Sequence, residues 1–168
     1  MTAAQARHLR QADPRGLNAC IAVARGLQLA KRHEELARIC SRALKRYPRS
    51  VELLRLRSEA YRCLAMAARA LADLDRIVLL EPRHPDARLT RGAGRRRAFN
   101  FRGAVLDAEE LLKLDPGSAQ AWILAAEGRR NLGQTRRAVA CAARALALEP
   151  ALPLALVARA KARRAFDL

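Results

Sequence analysis

Aromatic residues are scarce in this chain: one Trp, two Tyr and three Phe, or 4% of 168 residues. Strands draw on aromatic and β-branched side chains, so a sheet-rich core is disfavoured. Abundant Ala, Leu and Arg point instead to helices packed through small side chains. Cysteine is sparse and scattered. Cys20, Cys40, Cys63 and Cys141 form no CxxC pair and have no partnering His cluster, so no zinc site is expected. They read as reduced thiols, some of them core, in a cytosol-like compartment. No apolar run approaches the roughly 18 residues needed to span a bilayer. The N-terminal MTAAQARHLR lacks the apolar stretch of a secretory signal. The expectation is a cytoplasmic protein with no membrane partner. Lysine is nearly missing as well: Lys31, Lys45, Lys113 and Lys161 stand alone, and every other basic residue is Arg.

The chain nevertheless carries 33 basic against 16 acidic residues, a formal charge of +17. Such an excess fits nucleic acid or an acidic protein segment as partner. An Arg- and Ala-rich, Lys-poor composition also follows from a GC-rich coding sequence, so composition alone leaves open whether the charge is functional.

Proline supplies the organisation. Pro48, Pro82, Pro116 and Pro150 recur every 34 residues, in the words KRYP, LLEP, KLDP and ALEP. Proline cannot continue a helix and pushes its predecessor out of the helical region, so each word ends one helix and turns into the next. Counting from Leu17, Val51, Pro85, Ala119 and a partial repeat at Pro153, position eight is Ala24, Ser58, Gly92, Ala126 and Ala160. All are small, as a close helix crossing demands. Position twenty is Leu36, Ala70, Ala104 and Ala138; position twenty-four is Cys40, Leu74, Ala108 and Ala142; position twenty-seven is Ala43, Ile77, Leu111 and Ala145. These three positions share one helix face. The spacing predicts helices over 17–31, 34–47, 51–64, 67–80, 85–98, 101–114, 119–132 and 135–148, then a closing helix over 153–166.

This pattern resembles the tetratricopeptide repeat (TPR): bulky at four, small at eight, aromatic at eleven, Ala at twenty, apolar at twenty-four, small at twenty-seven, Pro at thirty-two. The second repeat matches best, with Leu54, Ser58, Tyr61, Ala70, Leu74, Ile77 and Pro82. The resemblance covers about residues 17–168 and implies an all-α fold, an α-solenoid or right-handed superhelix of four hairpins plus a C-terminal helix. Its repeats are 17–50, 51–84, 85–118 and 119–152, with a closing helix over 153–168 and an N-terminal segment or partial repeat over 1–16. Pro14, in QADP, reads as the end of a preceding helix. The last helix serves either as a polar cap or as the edge of a longer array.

The chain departs from the family at position eleven, which is Leu27, Tyr61, Arg95, Arg129 and Arg163, and at position four of the third repeat, Arg88. These arginines are expected to snorkel, stems packed and heads in water. With Gly92 and Gly94 in the same helix, the first helix of the third repeat is expected to be the least stable.

Nothing recommends catalysis. The glycines of RGAGRRR lie inside a predicted helix, not after a strand. Glu34–Glu35 and Glu109–Glu110 are neighbours pointing about 100° apart, unsuited to acid–base work. His8, His33 and His84 fall at the terminus or at turns and read as solvated surface. No cofactor is expected.

A non-catalytic scaffold or adaptor is the expected function. The resemblance implies that first helices line a concave groove through positions two, five, nine, twelve and thirteen. Position twelve is Gln28, Arg62, Arg96, Arg130 and Arg164; Arg55 and Arg97 occupy other groove positions. Arg55, Arg62, Arg96, Arg97, Arg130 and Arg164 are therefore the candidate site, a basic surface for an acidic or extended segment of another protein, since a guanidinium can hold a carboxylate by two hydrogen bonds. The alternative is a solvated face, or an RNA-binding helical-repeat surface. Some TPR domains clamp the C-terminal carboxylate of a chaperone, but the clamp positions here are Ile21, Arg25, Leu56, Asp86 and Thr90, or Arg55, Glu59, Thr90, Gln120 and Leu124. Neither set carries the required side chains.

Overall fold

The computed structural model describes residues 14–151 together with 153, 156, 157, 160 and 164. Among these, eight α-helices follow one another without a strand: α1 Pro14–Leu29, α2 His33–Arg46, α3 Val51–Cys63, α4 Ala67–Leu80, α5 Pro85–Arg97, α6 Phe101–Leu114, α7 Ala119–Asn131 and α8 Thr135–Leu148. The five described residues beyond 151 are helical and exposed; the rest of the expected closing helix lies outside the described residues. No described helix is long and apolar enough to cross a membrane. The chain divides into two compact halves, residues 1–82 and 83–168.

Local chemistry sets the helix boundaries. Ser50 and Ser118, two residues after their prolines, accept hydrogen bonds from the backbone N–H groups of Leu53 and Ala121. His84 occupies the same place in its repeat and caps α5 through Nδ1, which accepts from the Ala87 N–H at 3.3 Å. It therefore holds a structural role beyond a solvated turn. Asn100 caps α6 by accepting from the Gly103 N–H. Each cap satisfies an N–H that the first helical turn leaves without a partner. Pro14 stands in the first described turn of α1, and the helix expected to end ahead of it lies outside the described residues. Proline suits the first turn of a helix, where its missing N–H costs nothing.

In the first half, α1 packs on α2, α2 on α3, α3 on α4, and α1 also meets α3. The second half repeats the scheme with α5 to α8. All twelve residues at positions twenty, twenty-four and twenty-seven are buried. Position eight is buried at Ala24, Ser58, Gly92 and Ala126, whereas Ala160 is exposed. The close crossing is tightest at Gly92, where a Cβ would stand 2.5 Å from Leu124 Cδ2 and 3.1 Å from Asp107 Cβ. Large side chains, among them Leu36, Leu53, Leu54, Leu56 and Ile77, fill the remaining space, each contributing roughly 1.5–3 kcal/mol by burial.

Each hairpin turn passes through one left-handed residue: Lys31 (φ 55°), Ala65 (φ 57°), Phe99 (φ 60°) and Gly133 (φ 72°). Only the fourth is a glycine, so the other three carry a conformational penalty of about 1 kcal/mol or more. Ala65→Gly is expected to stabilise the chain by about 0.5–1 kcal/mol after the glycine's larger entropy cost, read as a higher urea midpoint. Ala104→Arg places a bulky charge at a fully buried site and is expected to cost about 3 kcal/mol or more. An unaltered melt for that variant would invalidate the helical register.

Candidate protein-binding surface

In the first half, the candidate face lies on α1 and α3. Glu52 sits at its centre. Arg25 donates to Glu52 Oε1 through Nε (3.1 Å) and Nη2 (2.9 Å), and Arg55 donates to Glu52 Oε2 through Nε at 2.8 Å. Gln28 Nε2 donates to Glu59 Oε2 at 2.6 Å, and Arg55 Nη1 stands 3.9 Å from the same oxygen. The arginines beside Glu52, Arg55 foremost, hold its carboxyl well below the usual range, at about 2. This face is a ladder of alternating charge. Arg55 is occupied within it, while Arg62, one turn past Glu59, is exposed.

In the second half, Arg96 on α5 pairs with Glu127 on α7, Nε to Oε2 at 3.1 Å. Arg97 is exposed. Arg130 on α7 makes one long contact, 3.4 Å to Asn131 Oδ1, and Asn131 in turn donates to the Glu127 carbonyl. Arg164 is exposed. The six candidates are thus not equivalent. Arg55 and Arg96 have carboxylate partners within the protein, whereas Arg62, Arg97 and Arg164 present their charge to solvent and Arg130 is only lightly held. At the clamp positions, Leu56 and Leu124 are buried core residues.

The arginines expected to snorkel do not do so. Asp107 on α6 is 1% exposed. Arg91 donates to both of its oxygens, including Nε to Oδ2 at 3.0 Å, and Arg95 Nη1 donates to Oδ2 at 3.1 Å. Arg88 Nη1 lies 4.0 Å from Oδ1. Their heads turn inward because a buried carboxylate attracts them more strongly than water does once it is already desolvated. Arg129 likewise turns to Cys141 Sγ and to Glu109 Oε1, the latter at 2.7 Å. Arg163 lies outside the described residues. The second repeat holds the equivalent pair: Arg57 donates to Asp73 through Nε at 2.8 Å and Nη2 at 2.6 Å, and to Ser41 Oγ. Arg57 and Arg69 also lie 5.7 and 5.8 Å from the Tyr61 ring centroid.

These groups were legible and were missed. Positions seven and twenty-three read Arg57/Asp73 and Arg91/Asp107, again 34 residues apart. Opposite charges in two repeating columns on the two helices of one hairpin are the signal. Burial pushes the Cys40 thiol up to about 11 and raises Cys141 too. No group of three potential metal ligands occurs among the described residues.

No protein-family model and no curated protein matches the chain. Solved structures do. A crystal structure of MamA protein superposes with a TM-score of 0.85 at 16% identity, over 91% of this chain and 84% of that one. A tetratricopeptide repeat protein from Parabacteroides merdae ATCC 43184 gives 0.80 at 18% identity, over 93% of this chain and 61% of its own. The first TPR of Spaghetti (RPAP3), bound to the HSP90 peptide SRMEEVD, gives 0.66 at 19% identity over 70% and 94%. The fold is therefore that of the tetratricopeptide-repeat proteins, an all-α helical-repeat class.

Removing the Asp107 carboxylate leaves three guanidinium groups without their anion. Asp107→Ala is expected to cost about 3–5 kcal/mol, measured by urea unfolding. Glu52 gives a pH signature. Its carboxyl is lowered in the folded chain from 4.5 to about 2, so its contribution is full above the unfolded value and is lost as pH falls towards 2. The stability difference between wild type and Glu52→Gln should shrink across that window.

Proposed function

We propose that the chain is a non-catalytic scaffold that binds an acidic or extended segment of a partner protein on the first-helix faces of its hairpins. Solved proteins of this fold include one holding a peptide with two consecutive glutamates, SRMEEVD. The observation that carries the reading is the division among the candidate arginines. Arg62 in the first half, and Arg97, Arg130 and Arg164 in the second, present positive charge to solvent or are only lightly held. Arg55 and Arg96 are fixed by Glu52 and Glu127 and orient the faces. The guanidinium groups that face solvent, Arg62, Arg97 and Arg164, can engage carboxylates without first breaking such a pair. Four free cysteines suit a reducing, cytosol-like setting.

The test is selection of peptides from an unstructured acidic library by the wild-type chain, followed by affinity measurements on Arg62→Glu/Arg130→Glu. Both positions lie at the helix surface, so helicity should be unchanged while affinity falls at least ten-fold. Unchanged affinity removes the first-helix faces as the site. Tight single-stranded RNA binding with a steep salt slope and no peptide selectivity would replace this reading with a nucleic-acid one.

A further inference from the structure

A second charged surface lies on α2, away from the faces just described. Past Glu35, α2 carries no acidic residue. Arg38, Arg42 and Lys45, with Arg49 in the turn that follows, are all exposed. Arg46 is exposed as well, its guanidinium 5.5 Å from the centroid of the Tyr47 ring. The helix C-terminus explains cations in the last turn, where they oppose the dipole. That accounts for Lys45 and Arg46 and leaves Arg38 and Arg42 without a structural partner.

The row ends at a cavity of about 190 Å³ lined by Leu17, Tyr47, Pro48, Arg49 and Ser50. Tyr47 is 4% exposed, and its hydroxyl is buried with no hydrogen-bond partner. Leaving such a group unsatisfied costs about 1–3 kcal/mol, so a ligand that supplies an acceptor recovers that penalty. Arg49, on the same wall, supplies the matching charge, while Leu17 and Pro48 close the cavity with apolar surface. Ser50 Oγ is committed to the Leu53 N–H.

Arg38, Arg42 and Arg46 follow one another at four-residue steps, about 6 Å along a helix. Alternate side chains of an extended peptide are spaced by nearly the same distance, about 6.6 Å. The sole ring in the patch, Tyr47, is buried beneath Arg46, which leaves no aromatic face on which a nucleotide base could stack. From this we infer that α2 and the cavity at its end form a second docking site, for an extended peptide with acidic side chains at every second residue. A carboxylate at the peptide's C-terminus enters the cavity between Tyr47 and Arg49.

The experiment uses the full chain carrying Arg62→Glu/Arg130→Glu, so that the acidic-segment site proposed above is already weakened. The probe is a fluorescein-labelled (Ala-Asp)₄ peptide with a free C-terminal carboxylate, followed by anisotropy. Binding should persist in this background and weaken at least ten-fold when Arg38→Glu/Arg42→Glu is added. Tyr47→Phe should weaken it three-fold or more without lowering the melting temperature, and amidating the peptide terminus should do the same. The inference is overturned if the probe fails to bind this background, if Arg38→Glu/Arg42→Glu leaves binding unchanged, or if oligo(dT) or a peptide with its four aspartates in one block binds as tightly. Because Arg62 and Arg130 are replaced throughout and Arg38 and Arg42 lie on a different helix, loss of binding on Arg38→Glu/Arg42→Glu is read separately from the fate of the first reading.

Discussion

The distance at which two helices can cross governs the rest of this structure. At position eight the chain places Ala24, Ser58, Gly92 and Ala126, and at Gly92 a Cβ would require the tip of Leu124 to move. Close crossing brings position twenty of the second helix against the first, and alanine fills it at Ala70, Ala104 and Ala138, while the first repeat buries the larger Leu36 there. A core built this way needs few aromatics. It depends on many small contacts and on exact register, and it leaves the long side chains, chiefly arginines, to find places around it.

The placement of those arginines divides them by purpose. Arg57, Arg91, Arg95 and Arg129 are drawn in by Asp73, Asp107 and Glu109. Arg25, Arg55 and Arg96 are tied at the surface to Glu52 and Glu127. Which arginines face solvent is thus set by where the acidic residues fall among the described ones. The formal charge of the chain therefore overstates the charge a ligand meets. A coding bias towards arginine and a specific use of some arginines are compatible, because structure selects among residues that composition supplies.

Helix ends, turns and the buried columns could be read from a proline period and from small residues at fixed offsets, since both follow from local sterics. The bounds of the described helices agree with expectation to within a few residues, and α1 takes in Pro14 ahead of the expected start at Leu17. The inward turn of Arg88 and Arg95 was not visible position by position. A lone arginine on a helix is normally solvated; its fate changed because a carboxylate on the facing helix was already committed to the interior. That information lies in a pair of columns, and neither column reveals it singly. For the candidate site, sequence identified Arg62, Arg96, Arg97 and Arg130 as one class, whereas Glu127 and Asn131 separate them.

The buried pairs also act as a pairing code. Arg57 and Asp73 belong to one hairpin, and Arg91 and Asp107 to the next, while the first repeat has Val23 and Ile39 at these places and the fourth has Ala125 and Cys141. A slip of one whole repeat, or an exchange of second helices between an inner and an outer hairpin, would bury an arginine or an aspartate against an apolar side chain, at a cost of several kcal/mol. The two charged hairpins thus differ in this respect from the first and fourth repeats.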